Sequence, residues 1–297
     1  MKNPRHFLSL FDVSQKELSE LLTMSARVKK NPKKFSRALE GKTLAMLFQK
    51  TSTRTRVSFE AGMTQLGGHA IFLDWRATNF TRGAIKDEIL SLSRYVDAIM
   101  FRAYKNSDMV EAANASSVPL INGLDNLWHP CQALADLLTI KEKTKKPLSK
   151  TTVAFVGDGN NVCNSLIVGC AMLGIKMRVG TPAGYEPYAK AVEFGEKKNC
   201  LKLFRSAHDA VEGADFVYTD TWISMGEEKE RLERIHAFHD YKVTPHLLGN
   251  RFFMHCLPAH IGEEVTREAL DSQNSIIYDQ AENRLHAQKA LLVWLLK

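Results

Sequence analysis

Thr43-Leu44-Ala45-Met46-Leu47-Phe48, then Ser52-Thr53-Arg54-Thr55-Arg56, then Val57-Ser58-Phe59-Glu60-Ala61-Gly62-Met63 reads as a buried strand, a turn and the opening of a helix. A helix N-terminus already carries unsatisfied N–H groups and a partial positive charge. Lys50, Arg54 and Arg56 at that turn are therefore unfavourable for the helix by itself. An anion seated on the turn would collect these donors, and a phosphate fits them best. A Ser or Thr N-cap with solvated arginines is the plainer alternative. It accounts for one hydroxyl but leaves the cations unexplained.

The same alternation runs through the rest of the chain and predicts an α/β fold of parallel sheets with covering helices. Strands are expected at 43–48, 70–73, 97–101 and 117–121, with helices at 14–29, 54–66, 84–95, 107–114 and 130–143. The Lys-rich segment 141–150, which contains Pro147, marks a boundary. A second series of strands follows at 151–156, 176–180, 201–204, 216–219 and 252–255, with helices at 161–173, 185–198, 207–213 and 281–296. Two doubly wound domains are expected, at 1–146 and 147–280, with a terminal helix at 281–297. In open sheets of this kind ligands gather at the C-terminal ends of strands. The polar clusters of this sequence all fall at such ends.

Composition narrows the function. No stretch reaches the ~18 apolar residues of a membrane helix, and Met1–His6 carries neither a signal nor a transit pattern, so a cytoplasmic location is expected. Cys131, Cys163, Cys170, Cys200 and Cys256 are odd in number and scattered, which argues against a disulfide framework or a zinc site. The net charge of +7 invites a nucleic-acid reading, yet the basic residues are interspersed with acids. An anionic small molecule explains the bias without a polymer.

Five further clusters carry chemistry. Trp128-His129-Pro130-Cys131-Gln132 follows a strand and opens a helix, with Pro130 suited to the first position. His129 and Gln132 can face one point in front of the helix and address a carbonyl and an amide; a packed histidine is the alternative. Gly157-Asp158-Gly159-Asn160-Asn161 is a weak dinucleotide fingerprint, since Val162 holds the third glycine position. The asparagines suit an amino-acid carboxylate, or one is simply an N-cap. Asp220-Thr221-Trp222-Ile223-Ser224-Met225-Gly226 offers an acid for an ammonium group. In Met254-His255-Cys256-Leu257-Pro258-Ala259-His260, Pro258 is expected to hold Leu257 extended and turn its carbonyl toward a ligand. His255 and His260 lack a spaced third ligand, so packing or surface roles are favoured. Arg284, in Glu282-Asn283-Arg284, is expected at the start of the final helix, where the plain alternative is a surface charge.

Taken in order, Ser-Thr-Arg-Thr-Arg, His-Pro-Cys-Gln, Asp-Gly-Asn-Asn, Asp-x-x-x-Ser-Met-Gly, His-Cys-Leu-Pro and Glu-Asn-Arg resemble the aspartate/ornithine carbamoyltransferase family over essentially the whole chain. Ser224-Met225-Gly226 and Cys256-Leu257 are similar to its ornithine branch. The resemblance implies a carbamoyl-phosphate domain followed by an ornithine domain, two connecting helices near 130–143 and 281–296, and a homotrimer or a multiple of trimers. It implies transfer of a carbamoyl group from carbamoyl phosphate to the δ-amine of L-ornithine, giving citrulline and phosphate, with no metal or organic cofactor. Arginine biosynthesis, or the reverse reaction in arginine catabolism, would be the setting.

By the same resemblance, Ser52, Thr53, Arg54 and Thr55 would hold the phosphate, and Arg102 would reach phosphate and carbonyl oxygen. His129 and Gln132, with the intervening Pro130 and Cys131, would orient the carbamoyl group, and Arg284 would close on it. Asn161, with Asn160 beside it, would bind the ornithine carboxylate, Asp220 and Ser224 its α-ammonium, and Met225 would wall the side-chain channel. Cys256 and the Leu257 carbonyl would line the approach of the δ-amine. One loop departs from the family pattern. In Asp74–Ala84, Asn79 stands where members carry a glutamine that serves the neighbouring subunit, and Trp75 resembles relatives that act on acylated ornithines. The alternatives are a carbamoyltransferase for putrescine or an N-acylated ornithine, a nucleotide-dependent oxidoreductase on the Gly157 turn, and a basic nucleic-acid-binding protein.

Overall fold

The computed structural model describes residues 4–223 and 228–297. Ser224 and Met225 lie outside the described residues. The chain divides into two compact units, residues 1–138 with 283–297, and residues 139–282.

The first unit is built on a four-stranded parallel sheet in the order β2-β1-β3-β4, with β1 at Thr43–Phe48, β2 at His69–Asp74, β3 at Ala98–Arg102 and β4 at Leu120–Leu124. Helices α1 (Gln15–Lys30), α2 (Thr53–Gln65), α3 (Ile85–Leu92), α4 (Asn106–Ala115) and α5 (Pro130–Lys143) precede, connect and follow them. From β1 the chain runs to β2 on one side and returns to β3 on the other, so the order reverses between β1 and β3. Such a switch point opens a crevice at the strand ends. Phe48 pairs with Arg102 there, which sets Arg102 beside the turn that leads into α2. Leu47, Ile99, Phe101, Ile89 and Met109 form the core under this sheet, each buried side chain contributing about 2 kcal/mol of transfer free energy.

The second unit repeats the plan. Its five parallel strands lie in the order β7-β6-β5-β8-β9, at Leu201–Phe204, Lys176–Gly180, Thr152–Val156, Phe216–Thr219 and Phe252–His255. The helices are α6 (Asn161–Leu173), α7 (Ala189–Lys197), α8 (Ala207–Val211), α9 (Arg231–Phe238), α10 (Pro245–Leu248) and α11 (Arg267–Leu270). The order reverses between β5 and β8, where the Thr219 hydroxyl donates to the Val156 carbonyl at 2.6 Å. Helix α12 spans Ile277–Leu296. The division between the units falls inside α5 and inside α12.

Several expectations shift. The fourth strand begins at Leu120 rather than 117, because Pro119 has no N–H for the ladder. It runs on through Asn122 and Gly123, where a bulge between Phe101 and Arg102 shifts the register. A Cβ at Gly123 would meet the Met100 sulfur at 2.5 Å. Helix α12 starts at Ile277 rather than 281, so Arg284 sits in its interior and is 3% exposed, not a surface charge. Helix α7 starts at Ala189 rather than 185, after the loop at Pro187. Of the linker lysines, Lys143 pairs with Asp279 at 3.0 Å and Lys146 with Asp215 at 2.6 Å. No helix among the described residues is long and apolar enough to cross a membrane, and all five cysteines are free.

Candidate active site

The turn after β1 is fixed by Ser52. Its backbone is extended (φ −166°, ψ 110°), and its Oγ accepts from the Thr55 N–H at 3.3 Å and donates to Thr55 Oγ1 at 3.0 Å. The N-cap alternative is thus also true, and it leaves the turn's opening N–H groups aimed along the helix axis toward any bound anion. Thr53 is exposed, Arg54 half-buried and Thr55 buried. Arg56 does not belong to this group: it pairs with Glu60 at 3.0 Å and lies over the Phe72 ring at 3.7 Å. As part of the sequence-predicted cation cluster it is a correction, and its reason is the i, i+4 carboxylate on the outer helix face.

His129 is the focus of the first unit's polar groups. It is 5% exposed, and its imidazole is held well below its ordinary range, first by burial and then by the charges of Arg284, Arg102, Lys50 and Arg54. Four cations converging on a neutral, buried imidazole make a field that favours an anion. Arg102 enters from the end of β3, and Arg284 from α12, where it donates to Thr55 Oγ1 at 3.2 Å and to Gln132 Oε1. Gln132 donates from Nε2 to Asp136 at 2.8 Å, which turns its oxygen toward Arg284. Pro130 opens α5, and the Cys131 thiol points to the Asn122 carbonyl at 3.5 Å, fully buried and pushed up to about 12.

Sequence reasoning missed Asp125. Its Oδ1 accepts the N–H groups of Leu127 and Trp128 at 2.7 Å each, and its Oδ2 the amides of Asn106 and Asn122 at 2.8 Å each. Burial pushes its carboxyl up. These bonds fold the loop that presents His129, and an Asp leaving a strand two residues before a bonded N–H is the available signal. Asn79 lies in a short helical turn at Asn79–Thr81 and is exposed. Trp75 is stacked 5.8 Å from Phe101 and tilted 5.0 Å from Phe80, so its ring is occupied by the unit's own core.

In the second unit, Asn160 caps α6 by accepting from Val162 and Cys163 N–H groups, and it donates to Asp220 Oδ2 at 2.9 Å. Asn161 begins the helix and is half-buried. Asp220 is 6% exposed, and its Oδ1 accepts from the Cys256 thiol at 2.9 Å. The expectation that Leu257 is extended is overturned. It has φ +61°, its N–H donates to His255 Nδ1 at 2.8 Å, and the Leu257–Pro258 bond is cis. Because Nδ1 accepts, the proton of His255 sits on Nε2 and faces Glu264 at 3.1 Å, both side chains fully buried. Gln280 accepts the His255 N–H at 3.0 Å. Donor atoms of Asp220, His255 and Cys256 lie within 4.8 Å of one another, as do those of His260, Glu263 and Glu264.

Arg234 was also missed. It is 8% exposed, pairs with Asp158 at 3.1 Å and with Glu230 at 2.9 Å, and donates to the Trp222 carbonyl at 3.0 Å. The dinucleotide alternative fails on Gly159. Its N–H donates to the Tyr185 carbonyl at 3.0 Å, and a Cβ there would meet Pro187 N at 2.3 Å, so the loop at 185–187 lies where a pyrophosphate would approach.

Known proteins match this chain over its length. The carbamoyl-P binding domain of aspartate/ornithine carbamoyltransferase matches residues 5–142, and the Asp/Orn binding domain matches residues 149–295. The chain is 48% identical to the ornithine carbamoyltransferase of Archaeoglobus fulgidus, across 98% of this chain and 97% of the relative. It is 44% identical to the catabolic ornithine carbamoyltransferase of Halobacterium salinarum, across 97% of each. Ornithine carbamoyltransferase from Pyrococcus furiosus superposes with a TM-score of 0.92 at 46% identity, covering 98% of this chain and 97% of that one. The anabolic enzyme of Campylobacter jejuni gives 0.91 at 37% identity, covering 98% of each. With both domain models matched in order and the fold shared, the chain belongs to the aspartate/ornithine carbamoyltransferase family.

Proposed function

We propose that the enzyme transfers the carbamoyl group of carbamoyl phosphate to the δ-amine of L-ornithine, giving L-citrulline and phosphate. The observation that carries this reading is the convergence of Arg54, Arg102, Arg284 and Lys50 on the neutral, buried His129 at the ends of β1 and β3. The Ser52–Thr55 turn and Arg54 take the phosphate, and Arg102 bridges phosphate and carbonyl oxygen. His129 remains neutral among cations, so it serves as a hydrogen-bond partner for the carbamoyl group rather than as a charge. As the neutral amine attacks the carbonyl carbon, Arg102, His129 and Thr55 stabilise the developing oxyanion. The C–O bond to phosphate breaks, and the leaving phosphate accepts the amine proton, so no separate base is needed.

In the second unit, Asn161 takes the ornithine carboxylate, and Asp220 with Ser224 takes the α-ammonium. Cys256 with the Leu257 carbonyl lines the amine's approach. Asn79 serves the phosphate site of a neighbouring subunit in a homotrimer, or a multiple of one, located in the cytoplasm. The domain limits proposed are 1–146, 147–280 and 281–297. The physiological setting is arginine metabolism in either direction, since named relatives include both catabolic and anabolic enzymes.

A steady-state assay with a panel of amines tests the reading. Ornithine should exceed putrescine and N-acetylornithine by orders of magnitude in kcat/KM, because putrescine lacks the carboxylate that Asn161 takes and N-acetylornithine lacks the charge that Asp220 takes. Trp75, stacked on Phe101, supports ornithine over an acylated amine. A preference for either analogue would sink the assignment of the amine.

A further inference from the structure

We propose that Gln288 is a positioning residue for Arg284, tying its guanidinium to the first turns of α2 in the orientation that carbamoyl phosphate requires. The proposal rests on the reading of Arg284 as a carbamoyl-phosphate ligand and adds the residue that aims it. Gln288 is fully buried on α12, one turn beyond Arg284 and on the same face. Its neighbours Ala287, Ala290, Leu291 and Leu292 are buried and apolar, so a buried amide there is costly unless both of its ends are matched.

One orientation of the amide matches both. The Gln288 oxygen then accepts from Arg284 Nε at 3.2 Å and Nη2 at 3.1 Å, and its nitrogen donates to Ser58 Oγ. The opposite orientation sets donor against donor. Ser58 passes the connection on, donating to the Thr55 carbonyl at 3.2 Å. Thr55 is thus reached twice from α12, at its carbonyl through Gln288 and Ser58, and at its hydroxyl directly by Arg284 at 3.2 Å. On the other side, the Gln132 oxygen accepts from Arg284 Nη1, with Asp136 fixing that amide. The guanidinium plane is therefore held between two oriented amides and the hydroxyl of the phosphate turn. A guanidinium held in this way meets carbamoyl phosphate with less loss of rotamer freedom than a mobile one.

Gln288→Met removes both ends of the connection at similar volume. The KM for carbamoyl phosphate should rise about tenfold, the KM for ornithine should stay within about twofold and kcat within about threefold. Ser58→Ala cuts the far anchor and should raise the same KM about threefold. In an Arg284→Met background, Gln288→Met should add less than about twofold, since the residue it aims is gone. If Arg284→Met leaves the KM for carbamoyl phosphate unchanged, the ligand reading of Arg284 fails and the proposal with it. If Arg284→Met raises it while Gln288→Met and Ser58→Ala, both unfolding normally, do not, the positioning role alone is overturned. Should Gln288→Met not fold, the presence or absence of the Ser58→Ala effect decides.

Discussion

Cys256 donates its thiol hydrogen to Asp220 Oδ1 across 2.9 Å, while Asn160 Nδ2 donates to Asp220 Oδ2 at the same distance. Both carboxylate oxygens are thereby aimed, by residues that follow β9 and β5. A carboxylate fixed in this way at the end of β8 is suited to a directional ammonium contact. Asp220→Asn should lower kcat/KM for ornithine by about a hundredfold or more, since the charge-assisted bond is lost in a shielded place. The thermal stabilisation of the variant by inorganic phosphate should persist, because the cations around His129 belong to the other unit. Steady-state kinetics and a phosphate titration of Tm check the two halves; near-normal ornithine kinetics would remove Asp220 from the site.

Arg54→Ala should lower activity by about a hundredfold or more without harming the fold. A lost charge-assisted phosphate contact costs about 3 kcal/mol, roughly a hundredfold in rate. The residue stands in the first turn of α2, where a cation opposes the helix dipole, and it is one of four positive charges around His129. Without phosphate, the variant's Tm should equal or exceed that of the parent. A large fall in Tm, or turnover close to normal, would contradict the phosphate-turn assignment.

His129 sets a pH dependence of stability. Its folded pKa is depressed from 6.5, by burial first and by Arg284 next. Below about pH 6.5 the unfolded chain therefore takes up a proton that the folded chain refuses. The contribution of the neutral imidazole is complete above that pH and declines as pH falls below it. In phosphate-free buffer, Tm should drop more steeply between pH 7 and 5.5 for the parent than for His129→Gln. Saturating phosphate should narrow the difference, because a bound anion favours the imidazolium. Parallel profiles for the two proteins would show that His129 titrates normally.

What the sequence made legible follows from how local each signal is. Four of the second unit's strands end at or just before Gly157, Gly180, Asp220 and Cys256-Leu257-Pro258, where turn chemistry or a polar cluster marks the boundary, and their spans agree closely. The Ser52 cap and the Pro130 helix start are equally local. The start of the final helix was set four residues late because α12 begins at Ile277 without a Ser, Thr, Asp or Asn cap, and Arg284 therefore sits in its interior. Its burial depends on Thr55 and Gln132, which lie 229 and 152 positions away. The conformation of Leu257 was likewise out of reach, since His255 Nδ1 and Glu264 impose it through a tautomer that no pattern encodes.

Arg234 shows the same limit and supplies the last prediction. In Arg231-Leu232-Glu233-Arg234 it looks like one more solvated charge, and Leu232 is indeed 84% exposed. Yet Arg234 is buried against Asp158, 76 positions earlier, with side-chain exposures of 10% and 11%. It also lies 5.1 Å from the Tyr185 ring centroid and donates to the Trp222 carbonyl. Removing one member of such a pair strands the other charge, which costs about 3–5 kcal/mol, whereas removing both costs much less. Arg234→Met should therefore destabilise the protein by about 3 kcal/mol, and Asp158→Asn added to it should restore at least part of the loss. Because Trp222 lies two residues beyond Asp220, Arg234→Met should also raise the KM for ornithine while leaving that for carbamoyl phosphate nearly unchanged. Urea unfolding of the two single variants and the double variant, with kinetics for each substrate, resolves the pairing. Additive losses in the double variant would show that the guanidinium acts through the Trp222 carbonyl and Glu230 and not through Asp158.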